Sequence, residues 1–181
     1  AHNTLHNFPN GWTAPLRLCR GIVFDLEGNL VAFPFPKFFN KGDHPETREL
    51  PDEEYVVLVK HDGHLGIIFQ YKGELILTTR GVFESPTSQI GNQMLQSYIE
   101  RYDWYGCFPE NLTLCVEIIH PLTKVYLEYE NEEFIAIGAF DRDTLKDHGY
   151  CSLSRIASRL NIPVTKRCGY SIEKLSSLVK N

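Results

Sequence analysis

Apolar positions along this chain fall into short runs closed by turn residues, a pattern that predicts many strands and few helices. Residues 18–26 read as a strand, Glu27-Gly28-Asn29 as a turn and residues 30–33 as the returning strand, a hairpin with Arg20 at its entry. A meander is expected next: a strand over 55–60, a turn at Asp62-Gly63, a return over 65–71, a turn at Lys72-Gly73 and a third strand over 74–79. Ile90, Met94, Leu95, Tyr98, Ile99 and Tyr102 recur near helical spacing, so residues 88–105 are expected to form a helix. Strands follow over 111–120, 124–129 and 133–141. A helix over 152–160 has Ser152 as its candidate cap, and a short one is expected over 171–179. Residues 1–19 read as an irregular lead-in and 43–54 as a charged surface loop. The fold class implied is α+β, mostly antiparallel sheet flanked by helices.

Within this pattern the run Val56-Val57-Leu58-Val59 delivers Lys60 immediately before His61-Asp62-Gly63. If that run is a buried strand, its end holds the amine where desolvation disfavours the ammonium, which is how a nucleophilic lysine is made near neutral pH. Asp-Gly between apolar runs is equally a hairpin signal with an ordinary exposed lysine beside it, and both readings stand.

Two further positions carry candidate chemistry. The stretch Phe33-Pro34-Phe35-Pro36-Lys37-Phe38-Phe39 surrounds one lysine with aromatics while its prolines prevent regular structure. It reads either as an aromatic plug with a snorkelling lysine or as a rigid loop aiming a cation into a pocket. Glu117 is embedded in the apolar run 112–119, and a buried carboxylate is costly unless paired or metal-bound. Strand alternation sets Thr113, Cys115 and Glu117 on the face opposite Leu112, Leu114 and Val116, so a solvent-facing Glu117 also remains open.

Composition narrows the class. The chain of 181 residues, with 43% hydrophobic and 12% aromatic residues, is long enough to bury a substantial core. Its net charge of −5 argues against a simple basic coat for nucleic acid while leaving room for local basic pockets. The five cysteines are odd in number and lack a Cys-x-x-Cys pair, which suggests neither a disulfide framework nor a structural zinc site. No apolar run reaches the roughly 20 residues needed to cross a bilayer, and Ala1-His2-Asn3-Thr4-Leu5-His6 does not read as a signal peptide. An intracellular, cytoplasmic protein with no membrane partner is expected.

Taken together, the motifs resemble those of the covalent nucleotidyltransferase superfamily of ATP-dependent DNA and RNA ligases and mRNA capping enzymes, and within it the bacteriophage-type RNA ligase family. Lys60-His61-Asp62-Gly63 is similar to that family's K-x-D-G signature. Leu18-Cys19-Arg20-Gly21-Ile22-Val23-Phe24 and Phe35-Pro36-Lys37-Phe38-Phe39-Asn40 resemble its upstream R-G and K-F-F-N elements. Val116-Glu117 with Pro121 and Lys124-Val125-Tyr126-Leu127-Glu128-Tyr129 is similar to its acidic third motif, and Gly138-Ala139-Phe140-Asp141 to the one after. K-x-D-G alone is a short pattern, whereas Arg20, Lys37, Lys60 and Glu117 in order, each in context, are far more specific.

The resemblance implies a nucleotidyltransferase domain over 1–181 whose Lys60 attacks the α-phosphate of ATP to give a lysyl-AMP adduct, with Mg2+ shielding phosphate charge. It further implies that Arg20 and Lys37 hold phosphates, that Glu117 holds the ribose or a metal, that Phe140 stacks on adenine, and that Asp62 and Gly63 shape the turn. Arg80 faces either the nucleotide pocket or the RNA backbone, or is an exposed strand-end residue. AMP then passes to a 5′-phosphorylated RNA end, and a 3′-hydroxyl displaces it. A monomer acting on ATP and RNA ends is expected. The family's final acid-then-apolar and K-x-K motifs are not matched: Glu133-Phe134-Ile135-Ala136 follows Glu117 too closely, and Lys166-Arg167 is not K-x-K. Two rivals stand beside the RNA ligase: a DNA ligase or capping-type enzyme using the same lysine, and a noncatalytic nucleotide- or RNA-binding module of this fold.

Overall fold

The computed structural model describes residues 11–178. The chain divides into two compact units, Ala1–Phe38 with Asp62–Val164 and Phe39–His61 with Thr165–Asn181.

The larger unit is built on an antiparallel five-stranded sheet. Its strands are β4 (His64–Tyr71), β5 (Glu74–Thr79), β6 (Leu112–Ile119), β7 (Glu133–Asp141) and β8 (Lys146–Asp147), in spatial order β5-β4-β6-β7-β8. Lys72 and Gly73 both take positive φ at the β4–β5 turn, the backbone a tight hairpin needs. Along β6 nearly every residue is buried, because both faces of the sheet are covered. One face carries Ile68, Leu77, Leu114, Val116 and Ile118 against Met94, Leu95 and Leu153 of the helices α2 (Pro86–Arg101) and α4 (Gly149–Arg159). Trp104, in the short α3 (Trp104–Cys107), closes that core and donates its indole N–H to the Leu160 carbonyl at 2.9 Å.

The other face is covered by the hairpin of β1 (Val23–Phe24) and β2 (Leu30–Ala32), which follows the short α1 (Ala14–Leu18). Val31 and Ala32 pack on Ile67 and Phe69, and Phe33 packs on Cys115 and Phe140. The Phe33 N–H donates to Thr113 Oγ1 at 3.0 Å and ties the aromatic loop to the sheet. Burial pushes the Cys115 thiol up to about 12, so it behaves as a small apolar side chain.

The smaller unit contains the two-residue strand β3 (Val57–Leu58) paired antiparallel with β9 (Arg167–Cys168), a 3-10 turn at Pro45–Thr47 and the helix α5 (Ile172–Leu178). Val59 N–H donates to the Lys166 carbonyl at 2.9 Å. Its own carbonyl accepts from Thr165 Oγ1 at 2.8 Å. The backbone entering Lys60 is therefore held on both sides by residues 165–166.

Several sequence expectations change. The strand expected over 18–26 is only Val23–Phe24, since Asp25 Oδ1 accepts the Glu27 and Asn29 N–H groups and begins the turn early. The expected meander breaks before β4, because β3 pairs with β9 and not with β4. No strand forms over 124–129; the N–H groups of Tyr126 and Leu127 are bonded to Asp62 Oδ2 instead of to a neighbouring strand. The helix expected over 88–105 starts two residues earlier, where Ser85 and Ser88 cap each other reciprocally, and ends at Arg101. The later helix begins at Gly149, so Ser152 is not its cap. Residues 1–10 of the expected lead-in, and Val179 of the last helix, lie outside the described residues.

Candidate functional site

The larger unit holds a cleft of about 410 Å3 at the open end of β4 and β5, lined among others by Arg20, Gly63, His64, Thr79, Arg80 and Thr87. Arg20 comes from the segment before β1, Gly63 from the residue before β4, and Arg80 from the end of β5. Burial lowers the Arg20 guanidinium from its ordinary value, and the like charge of Arg80 lowers it further. Arg20 also lies over the Phe38 ring, 4.9 Å from its centroid, which fixes its plane. Ser85 and Thr87 place the amino-terminal end of α2 on the cleft rim, adding the positive end of a helix dipole to the two guanidiniums. Two cations converging without a carboxylate between them are arranged for an anion, and guanidiniums suit phosphate oxygens through paired N–H donors.

Gly63 forms the floor. Its N–H donates to Glu117 Oε1 at 2.9 Å. A Cβ at this position would stand 2.4 Å from the Ile118 carbonyl oxygen, so no residue with a side chain fits while β6 keeps its place. Glu117 is thus half-buried and paired to the backbone of the turn rather than projecting freely into solvent. Sequence alternation placed it on the face opposite Leu114 and Val116, and there it is found.

Asp62 works on the other side of the turn. Its Oδ2 accepts the backbone N–H groups of Tyr126 and Leu127 at 2.8 and 2.6 Å, and its own N–H donates to Tyr129 Oη at 3.3 Å. Farther along, Lys124 pairs with Glu128, and His64 Nε2–H donates to the Thr123 carbonyl at 2.9 Å. Asp62 is therefore a staple for the 124–129 segment, a role that the local sequence around Asp62 gave no sign of. Charge-assisted hydrogen bonds to a carboxylate are worth about 1.5–3 kcal/mol each. Asp62→Ala is expected to speed amide exchange at Tyr126 and Leu127 by roughly 10-fold or more; unchanged exchange at both would remove the staple.

The remaining sequence candidates fall elsewhere. Lys37 is half-buried, its Nζ donating to the Phe38 carbonyl at 2.7 Å and lying 5.6 Å from the Trp12 ring centroid, and it does not line the cleft. Phe140 is 4% exposed and enclosed by Phe33 and Phe35, with Phe35 centred 4.9 Å away. Gly138 admits the Phe35 ring, which stands 2.3 Å from where a Cβ would be. Phe140, expected to stack on adenine, packs in the core between these two rings. Lys60 belongs to the smaller unit and is exposed. Its run is a two-residue strand with one side to solvent. His64, Thr79 and Thr87 were not singled out from sequence, for nothing in their local pattern marks which turn they converge on.

The RNA ligase family model matches residues 18–170. An inferred RNA ligase of Thermovibrio ammonificans is 32% identical over 143 residues, covering 76% of this chain and 38% of that protein. An archaeal ATP-dependent RNA ligase superposes with a TM-score of 0.60 at 20% identity, over 88% of this chain and 44% of the other. The apo form of a Naegleria gruberi RNA ligase mutant gives a TM-score of 0.54 at 13% identity, over 66% and 39%. Another mutant of that enzyme, with ATP and manganese, gives 0.50 at 17% identity, over 66% and 38%. The structural likenesses show the fold, an antiparallel sheet with flanking helices of the ligase nucleotidyltransferase type. The chain spans less than half the length of each of these proteins.

Proposed function

The chain belongs to the RNA ligase family, and from that premise we propose that it takes AMP from ATP onto Lys60 and passes it to a 5′-phosphorylated RNA end for sealing to a 3′-hydroxyl. The observation that carries this reading is the anion cleft: Arg20 and Arg80 converge on Gly63, which follows Lys60 by three residues of chain. The neutral Lys60 amine attacks the α-phosphorus. A P–N bond forms, the bridging P–O bond breaks, pyrophosphate departs and the amine proton passes to solvent. A 5′-phosphate oxygen of RNA next displaces Lys60, and a 3′-hydroxyl oxygen then displaces AMP.

In this scheme Arg20 and Arg80 hold phosphate oxygens and offset the negative charge that repels an incoming phosphate. Gly63 permits the close turn, Asp62 fixes the 124–129 segment beside it, and Glu117 orients the turn from below. Lys37 helps only indirectly, by stiffening the aromatic loop that carries Phe38 beneath Arg20.

Among the described residues no three His, Cys, Asp or Glu side chains group as metal ligands. Glu117 is the carboxylate beside the turn that would meet a divalent cation in this reading. That suits magnesium or manganese held mainly by substrate phosphates and water, where the ion would neutralise phosphate charge. Among those residues, too, no helix is long and apolar enough to cross a membrane.

The test is incubation with α-labelled ATP or GTP and a divalent cation, followed by denaturing electrophoresis. Label retained from ATP supports the ligase reading, and label from GTP alone supports a capping-type enzyme. Retention of neither, with ATP still bound, supports a binding module.

A further inference from the structure

Beside the arginine cleft, still within the larger unit, lies a second concavity of about 580 Å3, lined by Phe83, Glu84, Gln89, Asn92, Gln93 and Gln96. Its chemistry differs sharply from that of its neighbour. Phe83 is 56% exposed, and Gln89, Gln93 and Gln96 come from one solvent-facing side of α2 at helical spacing. Asn92 is structural: its Oδ1 accepts the Leu77 N–H at 3.0 Å, and its Nδ2 donates to the Leu77 and Ser88 carbonyls at 2.7 and 2.8 Å. It fixes the helix against β5 and so gives the cavity a rigid wall.

An aromatic ring costs free energy when left in water, and carboxamides beside it supply both donors and acceptors. The one charged lining residue is Glu84, whose carboxylate repels a phosphate and accepts from an exocyclic amine. A ring face, paired amides and an acceptor carboxylate together match a nucleobase and not its phosphate. The two cavities share one short segment: Val82 and Ser85 line the arginine cleft, while Phe83 and Glu84 between them line this one. A strand whose phosphate rests on Arg20 and Arg80 would therefore find the base-compatible surface immediately alongside.

Resting on the ligase reading for the identity of the strand, we infer that this cavity receives an unpaired base next to the RNA end, stacked on Phe83 and read along its edge by Glu84 and the glutamines of α2. The site tolerates different bases, because stacking is common to all of them. It favours those that present an amino group to Glu84.

The test uses the full chain and two short 5′-phosphorylated single-stranded RNAs, identical except that one has an abasic site at the nucleotide next to the phosphate. Fluorescence anisotropy should show the abasic strand binding roughly 10-fold more weakly. Phe83→Ala should erase that difference, and Phe83→Tyr should keep it. Gln93→Ala, at an exposed helix position, should reduce it without altering the melting temperature. Equal binding of both strands by the wild type, or a difference that survives Phe83→Ala, overturns the inference, as does Phe83→Ala weakening ATP in place of RNA. Wild-type labelling by ATP is read separately. Label without base discrimination removes only this subsite, whereas base discrimination without label keeps the subsite and removes the ligase chemistry.

Discussion

Replacing Lys60 with alanine is expected to reduce covalent labelling by ATP to background, a loss on the order of 10³-fold or more, as for removal of a nucleophile that no neighbour replaces. Folding should not suffer. Lys60 is exposed, and its side chain buries no core surface. The backbone before it stays fixed through Val59, bonded to Lys166 O and Thr165 Oγ1. ATP should still bind if, as proposed, Arg20 and Arg80 meet its phosphates. The measurement is a pair of assays on one preparation, equilibrium ATP binding and label that survives denaturation and base but is lost in acid, as a P–N bond requires. Binding within a few-fold of wild type with no label is the expected pair. Label retained by Lys60→Ala would assign the chemistry to another amine.

Gly63→Ala is expected to produce the second largest effect, and on both stability and labelling. The added methyl would meet Ile118 O at 2.4 Å, Ile119 Cδ1 at 2.9 Å and Glu117 Cγ at 3.0 Å. Ile118 lies in the central strand of the sheet, between β4 and β7, so its carbonyl has little freedom to retreat. Overpacking of this kind costs about 1–3 kcal/mol, and in a chain of this size each kcal/mol lowers Tm by roughly 2–4 °C. Relief comes most easily by moving the turn outward, which breaks the Gly63 N–H bond to Glu117 and shifts Asp62 off the Tyr126 and Leu127 amides. Thermal unfolding should fall by several degrees, and labelling should fall at temperatures where the variant is still folded. A variant with wild-type Tm and wild-type labelling would show that the close approach is not required.

Much of this architecture was legible in the sequence, for reasons tied to particular residues. The strands at 64–71, 74–79, 112–119 and 133–141 are long apolar runs bounded by turn residues, and they form where periodicity puts them. Lys72-Gly73 marked its hairpin by backbone chemistry alone. What misled was Asp62-Gly63. The dipeptide looks like a hairpin turn, yet Asp62 spends its carboxylate on amides some 60 residues onward in the chain, a partnership that no local pattern reveals. The same carboxylate holds the amides of Tyr126 and Leu127 where a strand was expected over 124–129, while the meander breaks because β3 pairs with β9.

The site was legible in part. Arg20 and Arg80 line a cleft with Gly63, and Glu117 accepts the Gly63 N–H; Arg80 stood outside the ordered motifs, and sequence left it open between a pocket and an exposed strand end. Lys37 and Phe140 do not join them, because the proline-spaced loop folds its aromatic rings onto the sheet: Phe33 and Phe35 enclose Phe140, and Trp12 lies beside Lys37. The run before Lys60 is a two-residue strand paired with an equally short partner, and Lys60 is exposed at its end.

The most direct measurement is peptide mapping by mass spectrometry after incubation of the chain with ATP and a divalent cation. The account predicts a mass gain of one AMP on the peptide containing Lys60, released by pyrophosphate. An adduct on any other peptide, or none while ATP is bound at saturation, would contradict it.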